Sequence, residues 1–213
     1  NEINKTNKID VKIGFIRNGK NEELSLSLKE EEQTFKTGLY VKDQITGIGT
    51  LTYIDPNTKI YGALGHEIIE KSTLQRFEIK DGKIFKSEVT GIVKSERGTP
   101  GEKNARFYSS ETYGNIKENE SSGIFGTYNS ILPSKELVKV ASPKEVKTGD
   151  AIIQTVLEDN TIQQFHINIL KVDHKSDVKN ILFEITDQAL LEKTGGVVQG
   201  MSGSPILQDN KLI

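Results

Sequence analysis

The sequence contains no cysteine and only three histidines, His66, His166 and His174. Without cysteine, the chain cannot form disulfide bonds, cysteine-ligated zinc sites or a thiol nucleophile. A histidine base can therefore come from only three positions.

The sequence also lacks a long apolar run and a strong excess of charge of either sign. No stretch of about 18 apolar residues is present, so no membrane-spanning segment is predicted. Lys and Arg number 28 against 30 Asp and Glu, and this balance argues against a nucleic-acid or polyanion binder. With 34% hydrophobic residues, the 213 residues can supply a core for one domain, or one domain plus a fragment.

Both ends of the chain predict a longer protein. It starts at Asn1 and its only methionine is Met201, so we expect the start of the gene to lie upstream. Residues 211–213 are typical of the second half of a hairpin, so we expect the last domain to be incomplete at its C-terminus. The lack of a targeting signal therefore carries no information.

The hydrophobic pattern is mostly that of β-strands. Alternating residues flank Asn18-Gly19, a strong tight-turn signal, and predict a hairpin over residues 9–28. Further strands are predicted over residues 47–54, 59–64, 84–92, 151–157, 161–172 and 181–185. One short helix is predicted over residues 188–193, ended by Gly195 and Gly196. Many short strands with Gly and Asp turns predict an all-β barrel or sandwich.

A charged stretch separates the first hairpin from the rest of the chain. Residues 29–33 (KEEEQ) predict a linker or solvated turn, and we place a domain boundary near residue 36. The expected domains are thus residues 1–36 and 37–213.

The first candidate site is the turn at residues 200–206, GMSGSPI. A serine becomes a nucleophile only with a base for its proton and donors for the oxyanion that forms. Small residues allow the backbone amides of Gly200 and Ser202 to point at one spot. Ser204 precedes a proline and lacks the Gly-x-Ser-Gly frame, so Ser202 is the better candidate. A simple Gly/Ser/Pro turn before a strand is the alternative.

The second candidate is His66, which follows directly on a small, apolar strand end, YGALG. A base must come within about 3 Å of the serine, and strand ends on a rigid scaffold place side chains reliably. His166 is predicted to face solvent from a strand, and His174 lies in a polar loop. His66 is therefore the best base, with a structural histidine as the alternative.

The third element is an acid that orients the histidine. Asp187 ends a predicted strand shortly before Ser202, whereas Asp55, Asp150 and Asp177 are rivals from turn-like positions. Spacing alone does not choose among them. Asp187 could equally be the N-cap of the predicted helix.

Four separated stretches resemble the stage IV sporulation protein B peptidases of spore-forming bacteria: residues 47–52 (GIGTLT), 61–66 (YGALGH), 100–103 (PGEK) and 195–206 (GGVVQGMSGSPI). The resemblance runs from about residue 37 to the end of the chain. It implies an all-β, chymotrypsin-like serine peptidase of two β-barrels with the site between them. It further implies that Ser202 is the nucleophile, His66 the base and Asp187 the acid. Residues 100–103 suggest no chemistry and are expected to form a structural loop.

The resemblance also implies a wider context. A PDZ domain precedes the peptidase in that family, and residues 1–36 resemble the end of such a domain plus a linker. The enzyme is expected to need no cofactor and to act between the two membranes around the forespore, associated with membrane through segments outside this chain. There it would cleave itself and a membrane-bound regulator, triggering a late sigma factor.

Two other classes of function compete with this interpretation. The first is a PDZ-linked interaction scaffold with a degenerate, inactive peptidase fold. The second is a metal hydrolase, which is disfavoured because the sequence has no cysteine and no histidines paired at ligand spacing.

Overall fold

The computed structural model describes residues 10–17, 19–32, 34–39, 45–70 and 74–213. Strands make up 53% of the structure and helix 5%, so the predicted all-β class is confirmed. The chain forms two compact units, Asn1–Thr46 and Gly47–Ile213. This division lies further along the chain than the domain boundary expected near residue 36.

Sixteen strands and one α-helix are present in the described part of the chain. The strands are β1 (Asp10–Arg17), β2 (Lys20–Ser27), β3 (Lys29–Glu31), β4 (Thr34–Lys36), β5 (Leu51–Ile54), β6 (Ile60–Ala63), β7 (Gly82–Val93), β8 (Glu102–Ile116), β9 (Glu118–Glu120), β10 (Gly123–Thr127), β11 (Lys139–Val140), β12 (Gly149–Val156), β13 (Ile162–Val172), β14 (Ile181–Ile185), β15 (Ile206–Gln208) and β16 (Lys211–Leu212). The helix is α1 (Gln188–Thr194), and a 3-10 turn spans Pro143–Glu145.

The first unit contains two antiparallel hairpins. Strands β1 and β2 pair up to Arg17 and Lys20, which confirms the predicted first hairpin; its residues Ile9 and Asn18 lie outside the described part. The first three residues of the charged stretch expected to be a linker or turn are strand β3, which pairs with β4; Glu32 lies in a turn, as expected, and Gln33 lies outside the described part. An ion pair between Lys36 and Glu31 spans this second hairpin, so cross-strand charge pairing stabilises strands of low apolar content.

A four-stranded antiparallel sheet, β5-β6-β10-β9, begins the second unit. Strand β6 is almost wholly buried, which suits its small and apolar sequence. The buried hydrophobic residues of this sheet's core are Tyr61, Ala63, Ile124 and Tyr128.

A six-stranded sheet follows, in the order β11-β16-β15-β12-β13-β14. In β12 and β13 every second side chain is buried, as the alternating sequence predicts. The core on this sheet is formed by Ala151, Ile153, Leu157, Phe165, Ile167, Ile169, Leu190, Val198 and Met201. No closed barrel is present among the described residues, so each sheet is open and has a core of its own.

The longest pairing is the hairpin of β7 and β8, which contains three register shifts. Strand β8 begins at Glu102, so the loop expected at residues 100–103 is limited to Pro100 and Gly101. The predicted short helix is confirmed as α1 and ends at Gly195, whose φ of 70° is favourable for glycine. Within the described residues, no helix has the length and apolar character needed to cross a membrane.

Candidate active site

Ser202 lies in a tight turn between α1 and β15. The Met201 amide donates to the Val198 carbonyl (3.1 Å), and the Ser204 amide donates to the Met201 carbonyl (2.8 Å). Val198 and Met201 are buried in the core of the six-stranded sheet. The turn is therefore anchored by apolar side chains on either side of Gly200.

Two residues of the turn require glycine. Gly200 has a φ of +93° and Gly203 a φ of +85°, a region that other residues rarely adopt. A Cβ on Gly203 would also lie 2.5 Å from the Leu64 amide nitrogen. The Gly-x-Ser-Gly frame thus serves both backbone conformation and close packing.

The turn is also held from the side of the four-stranded sheet, by strand β5 and by the residue that precedes it. The Thr50 amide donates to the Ser202 carbonyl (2.9 Å), and the Thr50 hydroxyl donates to the Gly200 carbonyl (3.1 Å). The Thr52 hydroxyl donates to the Gly203 carbonyl (2.7 Å). Ser202 consequently sits where the four-stranded and six-stranded sheets of the second unit meet.

The end of β6 brings His66 to the same place. A Cβ on Gly65 would lie 3.9 Å from the Gly203 amide nitrogen, so the residue before His66 approaches the residue after Ser202. The Leu64 amide donates to the Thr50 carbonyl (3.1 Å), which ties this strand end to the segment that holds the turn. The structure therefore brings together the chain segments that carry the predicted nucleophile and the predicted base.

The imidazole of His66 is exposed and makes one hydrogen bond with the described residues. Its Nδ1 lies 2.8 Å from the Glu67 carbonyl oxygen. Since a carbonyl only accepts, Nδ1 carries the proton in this contact and Nε2 is left as an acceptor. This is the tautomer that a base needs for taking a proton from serine.

Among the described residues, three amides of the turn have no acceptor, those of Gly200, Ser202 and Gly203. Within the same part of the chain, the Ser202 hydroxyl has no hydrogen-bond partner. Unpaired amides of this kind are the donors from which an oxyanion hole is built.

Asp187 is the N-cap of α1. Its Oδ1 accepts a hydrogen bond from the Leu190 amide (3.1 Å) and its Oδ2 one from the His166 amide (3.4 Å). Among the described contacts, no hydrogen bond joins Asp187 to His66. The structure therefore displays the capping arrangement for Asp187 and does not bring its carboxylate to the base.

The rival residues are also accounted for. Asp55 accepts from the Asn57 amide and the Thr58 hydroxyl, both at 2.8 Å, and these bonds lower the pKa of Asp55 as in an ordinary turn. Asp150 and Asp177 are exposed. His166 faces solvent from β13 and His174 is exposed, as predicted.

A pocket of about 220 Å³ opens beside Ser202. Its lining is largely apolar and comes from the six-stranded sheet and the turn: Ile153, Phe183, Val197, Met201, Ser202, Gly203, Ser204 and Ile206. Within the described residues there is no group of three or more histidine, aspartate or glutamate side chains able to hold a metal ion.

Sequence reasoning missed the residues that hold the turn. Thr50 and Thr52 lie in a stretch that resembles the family, yet nothing in the sequence pairs them with residues more than a hundred positions away. Lys103 is expected from the sequence in a structural loop, but its side chain is buried and donates to the Thr155 hydroxyl (2.7 Å).

Residues 33–213 match the family model described as SpoIVB peptidase S55. The chain belongs to this family. It is therefore a serine peptidase, a hydrolase that acts on peptide bonds. No curated protein and no solved structure is a significant match to it.

Proposed function

We propose that Ser202 is the nucleophile of this SpoIVB-type peptidase and His66 its general base. The observation that carries the proposal is the junction of the two sheets, where the turn around Ser202 packs against the strand end that leads into His66. The unpaired amides of Gly200 and Ser202 supply the second requirement, donors for an oxyanion.

In the proposed reaction, the Ser202 hydroxyl attacks the carbonyl carbon of the scissile peptide bond while His66 Nε2 takes its proton. The carbonyl oxygen becomes the oxyanion of a tetrahedral intermediate and accepts hydrogen bonds from Gly200 and Ser202. Collapse breaks the C–N bond, and the imidazolium gives its proton to the leaving amine. Water then repeats the steps on the acyl-enzyme and releases Ser202.

The orientation of His66 has two sources in this proposal. The Glu67 carbonyl holds the Nδ1 proton in the present arrangement. Family resemblance assigns the role of orienting acid to Asp187, whose carboxylate accepts from Leu190 and His166 at the start of α1. The two sources make different predictions for Asp187→Asn, given in the Discussion.

We propose the biological role from the family as well. The substrates are a membrane-bound regulatory protein and the peptidase itself, cleaved in the space between the two membranes around the forespore. Residues 1–36 would be the end of a PDZ domain and a linker. Cleavage of the regulator would trigger activation of a late sigma factor. The name of the family supports a role in sporulation.

The deciding experiment is covalent labelling with a fluorophosphonate probe, mapped by peptide mass spectrometry. We expect a single label on Ser202 that is lost in His66→Ala. Because the His66 side chain is exposed, this variant should unfold at the same urea concentration as the original chain. Both this chain and one extended beyond Ile213 are labelled in parallel.

The competing scaffold function makes the opposite prediction. If the extended, folded chain takes no label while it still binds partner proteins, the peptidase mechanism is wrong and the scaffold is supported. A label on Ser204 that persists in Ser202→Ala would transfer the nucleophile to Ser204.

A further inference from the structure

Lys103 is buried directly behind the nucleophile turn, and the proposed mechanism does not use it. Its side chain is 5% exposed, although lysine is among the residues most rarely buried. Its ammonium donates to the hydroxyl of Thr155, which is itself 2% exposed. A cation at such a position is costly to bury, so its presence calls for a physical reason.

The stem of Lys103 supports the first half of the turn. A Cβ on Gly200 would lie 3.1 Å from Lys103 Cβ and 3.3 Å from its Cδ, so the stem passes directly beneath Gly200. The Lys103 amide also donates to the Gln199 carbonyl (2.9 Å). One residue of β8 thus contacts both residues that precede Met201.

The ammonium end of the same side chain supports the second half. Thr155 Oγ1 accepts the bond from Lys103 Nζ and also one from the Ser204 hydroxyl at 3.2 Å. Lys103 therefore reaches the turn at Gly200 through its stem and at Ser204 through Thr155. Ser202 lies between these two supports.

No negative charge balances this ammonium within the described residues. The groups facing it are the Thr155 hydroxyl from β12, Gly200 from the turn and, across the hairpin, Ile92 from β7. The neighbouring Glu102 is exposed on the other face of β8. Burial alone lowers the pKa of Lys103 to about 8.

We propose that Lys103 is a positioning residue for the peptidase reaction, holding the Gly200–Ser204 turn in shape and presenting a positive charge behind the amides that receive the oxyanion. The inference rests on the proposed function. Negative charge develops in front of these amides only during the reaction, so an uncompensated cation behind them favours the transition state over the resting enzyme. Lys103 touches no reacting atom.

The test is Lys103→Met, which keeps the stem beneath Gly200 and removes the charge. We expect kcat for a peptide substrate to fall roughly tenfold or more with KM changed less than about twofold. The urea midpoint should stay or rise, because a buried unpaired charge is removed. Lys83→Met, at an exposed position of β7, is the matched control and should change neither quantity.

A pH profile separates this role from simple packing. In the original chain kcat should fall as the pH rises past about 8, where Lys103 loses its proton, and this fall should be absent in Lys103→Met. An unchanged kcat in a folded Lys103→Met would overturn the proposal. A drop in kcat with an unchanged pH profile would also overturn the proposal, because the loss would then come from altered packing alone.

A second measurement does not depend on turnover. In the Ser202→Ala background, the backbone amide NMR signals of Gly200 and of the substituted position should shift with pH around 8, and Lys103→Met should abolish that shift. If these signals titrate but the original chain takes no fluorophosphonate label, the proposed function fails while the support of the turn by Lys103 stands. Signals that do not respond to pH would contradict the role of Lys103 even in an active enzyme.

Discussion

The four-stranded and six-stranded sheets of the second unit are stabilised by different interactions. The core of the six-stranded sheet is formed by aliphatic side chains with one phenylalanine and one methionine. The core of the four-stranded sheet is smaller and half of its buried hydrophobic residues are tyrosines. There the Tyr61 hydroxyl donates to the Asn115 carbonyl (2.9 Å), and burial raises the pKa of Tyr61.

A buried amide continues this polar pattern beside His66. The Asn119 side chain donates to the carbonyls of Ile68 (2.9 Å) and Phe77 (2.8 Å) and accepts from the Ile68 amide (2.8 Å). The segment that follows His66 is therefore held by a few directional bonds, whereas the Ser202 turn has the packing of Val198 and Met201 in addition to its hydrogen bonds with Thr50 and Thr52. The comparison teaches that base and nucleophile depend on different kinds of interaction, which mutations can separate.

The largest effect is expected from Asp187→Asn, which tests whether the six-stranded sheet also supplies the acid for His66. If Asp187 is the orienting acid, its replacement should lower kcat about 10⁴-fold, because the wrong histidine tautomer is then favoured. Asparagine caps helices as well as aspartate does, so urea unfolding should be unchanged. Near-normal kcat would leave Asp187 with its capping role and give the orientation of His66 to the Glu67 carbonyl.

Ile167→Ala tests how strongly the six-stranded sheet, whose core also contains Val198 and Met201 of the Ser202 turn, depends on apolar packing. Ile167 is fully buried, and the truncation should cost about 2–5 kcal/mol of unfolding free energy. Urea titration followed by circular dichroism measures this loss. Ile162→Ala, at a half-exposed position of the same strand, is the control and should cost far less. Equal losses would show that the core on this sheet is not closely packed.

Asn119→Leu removes the side-chain hydrogen bonds that hold the segment after His66 and keeps a side chain of similar volume. It leaves the Ile68 amide and the Phe77 carbonyl without partners, whereas the Ile68 carbonyl keeps the bond from the Phe77 amide, so we expect a loss of about 2–3 kcal/mol. Because the segment after His66 is released, fluorophosphonate labelling should slow more than in Ile167→Ala at equal folded fraction. If both variants slow labelling equally, His66 and Ser202 do not depend on different kinds of interaction.

The smallest effect is expected from Ser204→Ala. Its hydroxyl donates to Thr155 and takes no part in the proposed reaction, so kcat should stay within about threefold of the original value. Steady-state hydrolysis of a peptide substrate checks this. A loss as complete as that of Ser202→Ala, in a folded protein, would mean that Ser204 is the nucleophile.

The sequence predicted those elements whose signals are local. Alternation identified β12 to β14, and a Gly-Gly pair identified the end of α1. The strand β3 was missed because its charged residues pair across a hairpin, and most of β8 was missed because its side chains do not alternate cleanly between buried and exposed. Both depend on a partner strand that a single stretch of sequence does not reveal.

The residues of the candidate site divide in the same way, into those with a local sequence signal and those without one. Ser202 was predicted from a short Gly-x-Ser-Gly motif and His66 as the best of three histidines, and their catalytic roles stay predictions. The contacts of Thr50 and Thr52 with the turn arise only where the four-stranded and six-stranded sheets meet, and the burial of Lys103 only where β8 packs against β12 and the turn. A lysine in a sequence is expected at the surface, so no local pattern could have indicated its position behind Gly200.

The hydrogen bonds within and around the turn also polarise the unpaired amides of Gly200 and Ser202. The peptide group that carries the Gly200 amide has the Gln199 carbonyl at its other end, and this oxygen accepts from Lys103. The peptide group that carries the Ser202 amide ends in the Met201 carbonyl, which accepts from Ser204. A peptide whose oxygen already accepts a bond becomes a stronger donor through its nitrogen. Each free N–H is thus the last member of a short cooperative chain, and both chains end at the point where the oxyanion is expected.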